Sequence, residues 1–229
     1  MSFELSLDTS TNHSGIALSE QGVAFAEYSW VSRFNHTVEL LPAADMLITH
    51  HRRNRSDISA VFVALGPGGF SSLRVGLSTA KGIALALDIP IVGIGTMLIE
   101  GTPFAWQSLP IRPVMDGGRG EFATSLFKAE AGQLKQAEVE RVITFDALAD
   151  AFSEPTLLCG EHAPAVIERL REKTANAVFT GTAARSPGHL AQLAWRKLSS
   201  GQRDDINTIE PIYMRAPSIT AKKTKTTAL

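Results

Sequence analysis

The chain has 229 residues, of which 44% are hydrophobic and 20% are charged, and its formal net charge is -1. This composition allows a sizeable buried core and excludes a disordered chain. The near-neutral charge excludes an overall electrostatic attraction to nucleic acid. The one basic cluster, Lys222, Lys223 and Lys225, lies among the last residues, where a solvated tail is favoured over a binding arm.

Cysteine content and hydropathy exclude further classes of protein, namely disulfide-rich and membrane proteins. The single cysteine, Cys159, excludes a framework of internal disulfides. It follows an apolar segment, which favours a buried thiol at a strand end over a nucleophile. The pattern of a signal peptide or a membrane span is not found. We therefore expect a cytoplasmic protein with no membrane partner.

The first predicted elements are strands. Residues 3–30 alternate apolar and polar side chains, which predicts an antiparallel meander. A helix is predicted from Thr37 to Arg52, with Pro42 either kinking it or opening a second start. Two buried strands are predicted at residues 58–66 and 89–95, and a weak helix is predicted at residues 97–105. A further helix, within residues 65–87, lies between the two strands.

The stretch LGPGGFSSLRVGLSTAKGIALAL, residues 65–87, begins as a glycine-rich loop and continues as a helix. Such loops bind phosphates because unpaired N–H groups and the helix dipole point at the anion. The loop does not require a phosphate, however, since glycines adopt positive φ readily and Ser71 or Ser72 can cap the helix. Its chemistry alone leaves both interpretations open.

The helix of this stretch has small residues at every fourth position, namely Ser72, Gly76, Ala80 and Ala84. Such a strip lets another backbone approach closely. A glycine inside a helix costs about 1 kcal/mol relative to alanine, so we expect a compensating contact at Gly76 and Gly82. That contact can be internal or can be made with a partner protein.

A second series of elements follows residue 105. Strands at 112–116 and 121–127 read as a hairpin around the turn GGRG. Helices are predicted at residues 145–152, 163–171 and 189–198, and a strand is predicted at residues 156–159. Two α/β units in succession resemble the actin-like superfamily of sugar kinases and heat-shock ATPases. We expect an α/β fold of this actin-like (ASKHA) type with two mixed-sheet subdomains, residues 1–105 and 106–229, the last helix being free to pack back on the first.

The histidines do not form a helical metal site. Two histidines four residues apart share one helix face and can bind one ion. The six histidines, at positions 13, 36, 50, 51, 162 and 189, include no pair three or four residues apart. Glu100 is the one ionisable side chain between residues 95 and 107, and a single carboxylate is a poor transition-metal site. We predict no metal site and no catalytic residue.

Six segments in order resemble the bacterial TsaB family of tRNA threonylcarbamoyladenosine biosynthesis proteins: LDTST, HTVELLPAADMLI, GPGGFSSLRVGLSTAKGIA, IPIVGIGTM, DGGRGEF and PIYMRAPS. The resemblance covers almost the whole chain. It implies a non-catalytic partner of the paralogous transferase TsaD, which modifies the adenosine beside the anticodon of ANN-decoding tRNAs. It also implies a small ATPase, TsaE, as a further partner, and contact with tRNA only through the complex.

The resemblance also implies pairing through helices of the first subdomain, which would bind TsaD or, in its absence, a second copy of the chain. The charged and apolar face of the helix in residues 65–87 suits such a partner, although an ordinary solvated face is the alternative. The predicted interface residues are His36, Leu40, Leu41, Leu47, Ile48, Arg74, Leu77, Ser78, Lys81 and Leu85.

Asp8 follows the first strand, where the superfamily positions a magnesium-bound nucleotide. The residues of a remnant nucleotide site would be Asp8, Thr9, Ser10, Gly68 and Gly69. A simple turn, with the aspartate accepting local N–H bonds, is the alternative. Since the second half shows no further phosphate loop, we expect no cofactor and no ATP hydrolysis. The competing functions are a weak ATPase or peptidase and a self-associating nucleotide-binding module.

Overall fold

The computed structural model describes residues 1–33, 35–181 and 185–214. The strands and helices are β1 (Phe3–Asp8), β2 (His13–Glu20), β3 (Val23–Val31), α1 (His36–His50), β4 (Ile58–Gly66), α2 (Phe70–Leu87), β5 (Ile91–Gly95), α3 (Thr96–Gly101), β6 (Ile111–Gly118), β7 (Glu121–Glu130), β8 (Gln133–Ile143), α4 (Phe145–Asp150), β9 (Thr156–Cys159), α5 (Ala163–Lys173), β10 (Ala177–Val178) and α6 (Pro187–Ser199).

The described strands form two five-stranded sheets with the same topology. The first has the order β3-β2-β1-β4-β5 and the second, read from its β8 edge, the order β8-β7-β6-β9-β10. In each sheet the first three strands are antiparallel neighbours and the last two extend the sheet in parallel. The chain therefore repeats one mixed α/β unit, as predicted. We call the first sheet with α1, α2 and α6 the first lobe, and the second sheet with α4 and α5 the second lobe.

Both faces of the first sheet are covered by helices. On one face α1 and α2 bury Leu40, Leu47 and Leu77 against strand residues such as Leu5 and Val63. On the other face α6 packs its small side chains and Leu190 against β4 and β5. This helix follows the second lobe in the chain and packs on the sheet of the first.

The helix α3 lies between the two lobes. Its Met97 belongs to the core on the inner face of the second sheet, and its Ile99 belongs to the core beneath α6. On the outer face of the second sheet, α4 and α5 bury Leu148, Ile167 and Leu170. The layers are thus helices, sheet, helices, sheet, helices.

Most predicted elements occur where the sequence places them, with three differences. The strands β8 and β10 were not predicted. Pro42 lies inside the continuous helix α1, so it opens no second helix. The N-cap of α2 is Gly69 rather than a serine, and the hydroxyl of Ser72 donates to the Gly69 carbonyl (2.9 Å). The serine cannot cap because it already lies within the first turn.

The prediction that the chain has no membrane span can be compared with the structure only for the described residues. In the described ranges, every helix is too short or too polar to cross a membrane. The basic cluster of Lys222, Lys223 and Lys225 lies outside the described residues, as does the second half of the PIYMRAPS segment.

Candidate functional site

Five of the ten predicted interface residues lie inside the first lobe. They are His36, Leu40, Leu47, Ile48 and Leu77, each at most 7% exposed. Their spacing places them on the sides of α1 and α2 that face the sheet. These side chains are therefore covered by the first lobe itself, because the same apolar periodicity marks the core face of a helix. Their contact with a partner stays a prediction.

The other five predicted interface residues lie at the surface. Leu41 and Leu85 are 54% and 67% exposed, Arg74 and Ser78 are exposed, and Lys81 is half-buried. Sequence reasoning missed two more exposed apolar side chains on α1, Val38 and Met46. An apolar groove of about 560 Å³ runs between the helices, with a rim that includes Leu41, Pro42, Ile83, Ala86 and Leu87. The uncovered face is thus broader than predicted.

The two helical glycines of α2 face different surroundings. A Cβ on Gly76 would lie 2.4 Å from Thr9 Oγ1, so the close approach at this position is internal. A Cβ on Gly82 would meet no atom within 4 Å, and Gly82 is exposed. Only Gly76 therefore receives a compensating contact within the described chain.

Arg74 is held in place by aromatic side chains. Its guanidinium carbon lies 3.9 Å from the centre of the Phe70 ring, and its Nε donates to the Tyr213 hydroxyl (2.9 Å). The C-terminal segment that carries Tyr213 is in turn anchored by a bond from the Ile212 N–H to the Leu65 carbonyl (2.7 Å). Arg74 thus presents its charge from a pre-ordered position on α2.

The residues of the predicted remnant nucleotide site contact one another. Asp8 Oδ1 accepts bonds from the Ser10 N–H (2.9 Å) and hydroxyl (2.6 Å). Gly69 N–H donates to the Ser10 carbonyl (2.8 Å), and a Cβ on Gly68 would lie 2.0 Å from that oxygen. Among the three loop glycines only Gly66 has a positive φ, of 111°. The glycines at 68 and 69 therefore allow close packing against the β1–β2 turn.

Thr9 completes this packing from the other side. Its hydroxyl donates to the Ser72 carbonyl inside α2 (2.7 Å). Asp8, Thr9 and Ser10 are all buried. The turn interpretation thus accounts for the observed bonds of these residues without a ligand.

The second carboxylate oxygen of Asp8 binds an arginine that the sequence did not single out. Arg185 Nε donates to Asp8 Oδ2 (2.7 Å), and its Nη1 donates to Glu100 Oε1 (2.9 Å). The Arg185 side chain is 2% exposed. Burial disfavours its charge, but the nearby carboxylates outweigh burial and raise the pKa of Arg185 above its ordinary value. The guanidinium is a permanent cation within this cluster.

All five N–H groups of Arg185 have acceptors. Besides the two bonds above, Nη1 donates to Glu161 Oε1 (3.0 Å), and Nη2 donates to Thr11 Oγ1 and the His13 carbonyl, both at 2.8 Å. Burial raises the pKa of Glu100 to about 7, although Arg185 opposes this shift. The cluster is therefore an internally paired network with one cation and three carboxyl groups.

A cleft of about 790 Å³ opens beside this cluster, between the two lobes. Its walls are the loop from Gly68 to Ser72, the first turn of α1, the end of β6 from Met115 to Gly118, and Glu161. His36 lines it but is buried. Its Nδ1 lies 3.0 Å from the Ser14 hydroxyl, its Nε2 has no partner among the described residues, and burial lowers its pKa.

Cys159 is buried at the end of β9, as predicted, and burial raises the pKa of its thiol well above the ordinary value. Among residues 1–33, 35–181 and 185–214, no three His, Cys, Asp or Glu side chains are grouped as a metal site.

Comparison with known proteins identifies the family. Residues 30–195 match the family model described as TsaD, tRNA N6-adenosine threonylcarbamoyltransferase. The tRNA threonylcarbamoyladenosine biosynthesis protein TsaB of Bacillus subtilis (strain 168) is 30% identical over 227 residues, covering 95% of this chain and 96% of that protein. The chain belongs to the TsaB family, within the wider group that the TsaD model describes. The resemblance drawn from six sequence segments is confirmed.

Solved structures support the fold. A Pseudomonas aeruginosa protein described as similar to peptidase YEAZ has a TM-score of 0.80 at 23% identity, covering 94% of this TsaB-family chain and all of the other. Component A of the Acidaminococcus fermentans (R)-2-hydroxyglutaryl-CoA dehydratase has a TM-score of 0.50 at 10% identity, covering 87% of this chain and all of the other. At these identities the likeness concerns the fold alone, which is actin-like.

Proposed function

We propose that this chain takes part in tRNA threonylcarbamoyladenosine biosynthesis as a non-catalytic scaffold that binds the transferase TsaD. The family membership supplies the process, since the Bacillus subtilis relative is named for it. The observation that carries the binding role is the uncovered apolar face of α1 and α2, which includes the exposed side chains of Leu41 and Leu85.

The chemistry of this face favours a protein partner. A contiguous apolar groove flanked by charged side chains is typical of an interaction surface. Arg74 and Lys81 lie on α2 next to the apolar residues, and Arg74 is pre-ordered by Phe70 and Tyr213. Exposed Gly82 allows a partner backbone to come close to α2. The face thus offers an apolar centre, a basic side and room for a helix.

The non-catalytic role rests on the interlobe cluster. The carboxylate of Asp8 is fully engaged by Ser10 and Arg185, and it would have to release that arginine before it could position a metal-bound nucleotide. The chain also lacks a helical HxxxH pair. These features support a paralogue that assists the transferase rather than one that performs the transfer.

The remaining partners follow from the same proposal. TsaE joins the complex with TsaD, tRNA is bound only through that complex, and the cell compartment is the cytoplasm. When TsaD is absent, the apolar face of α1 and α2 is covered by a second copy of the chain. The first subdomain, residues 1–105, carries this interface in both assemblies.

The test is the substitution Ser78→Glu. Ser78 is exposed on α2, and among the described residues its hydroxyl donates only to carbonyls of its own helix, those of Arg74 and Val75. A charge at the centre of a buried interface should weaken TsaD binding by about 2 kcal/mol or more, which is about 30-fold in the dissociation constant. Calorimetric titration with TsaD from the same organism measures this change, and circular dichroism checks the fold.

Ser153→Glu is the matched control, because Ser153 is an exposed serine of the second lobe. We expect it to bind TsaD as the parent does. If Ser78→Glu also binds as tightly as the parent, the face of α1 and α2 is not the interface. ATP hydrolysis by the purified chain, lost on Asp8→Ala, would contradict the non-catalytic role.

A further inference from the structure

Glu161 crosses from one lobe to the other. It lies between β9 and α5 of the second lobe, but its Oε1 meets donors from the first. The Thr11 hydroxyl donates to it (2.6 Å), Arg185 Nη1 donates to it (3.0 Å), and His13 Nδ1 lies 3.1 Å away. Glu161 Oε1 of the second lobe thus contacts three donors that belong to the first lobe or pack against it.

Two of these three donors, the Arg185 guanidinium and the Thr11 hydroxyl, are held by groups other than Glu161. The third, the His13 imidazole, has a side chain that is 66% exposed. Arg185 is held by Asp8 at the end of β1 and by Glu100 of α3, and it precedes α6, which packs on the first sheet. Thr11 and His13 are tied to the same guanidinium, through the Thr11 hydroxyl and the His13 carbonyl. Two of the three donors that receive the Glu161 carboxylate are therefore pre-formed on the first lobe.

The charges in the cluster indicate that the fold of each lobe does not depend on the Glu161 contact. One guanidinium faces three carboxyl groups, and loss of Glu161 leaves Arg185 paired with Asp8 and Glu100. Removing one carboxyl also relieves repulsion within the cluster, since like charges disfavour one another. Each lobe should therefore stay folded when the Glu161 carboxylate is removed, whereas the hydrogen bonds that Glu161 makes to the first lobe are lost.

We propose that Glu161 is an interlobe latch, whose carboxylate, held by Thr11, His13 and Arg185, fixes the two lobes in one relative orientation. Charge-assisted hydrogen bonds from a guanidinium are among the stronger polar contacts in proteins. The three donors converge on one oxygen of the Glu161 carboxylate. Glu161 also lines the interlobe cleft opposite the loop from Gly68 to Ser72. The latch therefore sets the width of that cleft.

The latch is tested by measuring the distance between the lobes. Spin labels are attached to cysteines introduced at exposed positions, Thr49→Cys on α1 and Glu168→Cys on α5, while buried Cys159 stays unlabelled. Pulsed electron paramagnetic resonance should give one narrow distance distribution for the otherwise unchanged chain. Adding Glu161→Ala should broaden the distribution and shift it to longer distances, with little loss of thermal stability.

The control is Glu138→Ala, which removes the partner of buried Arg112 inside the second lobe (2.9 Å). We expect it to lower the melting temperature without changing the distance distribution. An unchanged distribution in folded Glu161→Ala overturns the latch. If that variant does not fold, the double variant Thr11→Val with His13→Ala removes two of the three donors. A broader distance distribution in the double variant supports the latch, and an unchanged distribution overturns it.

Discussion

The outer helix layers of the two lobes differ although the sheets beneath them share one strand order. On the first lobe, α1 and α2 expose the large apolar side chains Val38, Leu41, Met46 and Leu85. On the second lobe, α5 exposes mainly charged residues, including the pair Glu168 and Arg171 (2.9 Å). Neither α4 nor α5, both fully described, carries an exposed large apolar side chain.

The difference shows that topology alone does not determine which surface meets a partner. Both layers bury an apolar helix face against their sheet, as any such layer must. Only the first adds a second apolar face that points away from the sheet. In a repeated unit, therefore, the outward side chains of the helices distinguish the proposed interface from a solvated surface.

The largest expected effect is the loss of partner binding when a charge is placed on the apolar layer. Leu85→Glu should weaken binding of TsaD by about 2 kcal/mol or more, because the interface would lose an apolar side chain and would have to desolvate a carboxylate. Ala165→Glu, at an exposed position on α5, should leave binding unchanged. Surface plasmon resonance on immobilised TsaD compares the two variants directly. Equal weakening by both would remove the distinction between the layers.

The next effect concerns the inner side of α2. Gly76→Ala should destabilise the chain by about 1 to 2 kcal/mol, since overpacking against Thr9 outweighs the better helix propensity of alanine. Chemical denaturation measures the change. Adding Thr9→Ala removes the clashing hydroxyl and should recover part of the loss. If the two changes are simply additive, the contact between Gly76 and Thr9 does not limit this side of the helix.

The cluster between the layers predicts a dependence on pH. Glu100 is buried beside Arg185, Glu161, Asp8 and Cys159, and burial raises its pKa from 4.5 to about 7. The folded state therefore binds the proton more tightly than the unfolded state. The resulting stability is fully present below pH 4.5 and is lost as pH rises through 7.

Between pH 6.5 and 8.5 the loss should amount to about 1 kcal/mol. This figure is the Glu100 contribution alone. Burial lowers the pKa values of His36 and His189, so these groups release protons from the unfolded state near pH 6.5 and raise the stability as pH increases. Both histidines remain in Glu100→Gln, so the difference in stability between this variant and the parent, measured by urea denaturation at each pH, isolates the Glu100 contribution. A parental slope that persists in Glu100→Gln would assign the titration to another group.

The smallest effect is expected on the outer side of α2. Gly82→Ala should stabilise the isolated chain by up to about 1 kcal/mol, because alanine is the better helix former and its Cβ meets no atom within 4 Å. Calorimetry should show a higher melting temperature. A lower melting temperature would mean that the face around Gly82 is already covered, for example by a second copy of the chain, and dilution of the sample distinguishes that case.

The sequence predicted the fold where apolar periodicity is strong. Strand β4 was predicted with its observed bounds, because both of its faces are buried and its side chains are apolar apart from Ser59. Strand β8 was missed because it is an edge strand whose residues are all exposed or half-buried, so Glu138 and Glu140 interrupt its alternation. Strand β10 spans two residues, too few for any periodicity.

The site was predictable only where its residues are neighbours in the sequence. Asp8 and Ser10 lie two residues apart, and their turn was recognised as one interpretation. Arg185 binds residues that lie 24 to 177 positions away, and a single arginine in a polar segment carries no local signal. Sequence periodicity also could not separate core from interface on α1, since Leu40 and Leu41 are adjacent but face opposite environments.

The position of α6 has a consequence for synthesis on the ribosome. One face of the first sheet is closed by this helix, which begins at Pro187, whereas the last strand of that sheet ends at Gly95. Domains generally fold as units, starting from the N-terminus as the chain emerges. Here the N-terminal sheet must wait, with Phe62 and Val92 uncovered, until the whole second lobe has left the exit tunnel. The part of the protein that is made first is therefore completed last, and nascent chains stalled before Pro187 should need a chaperone.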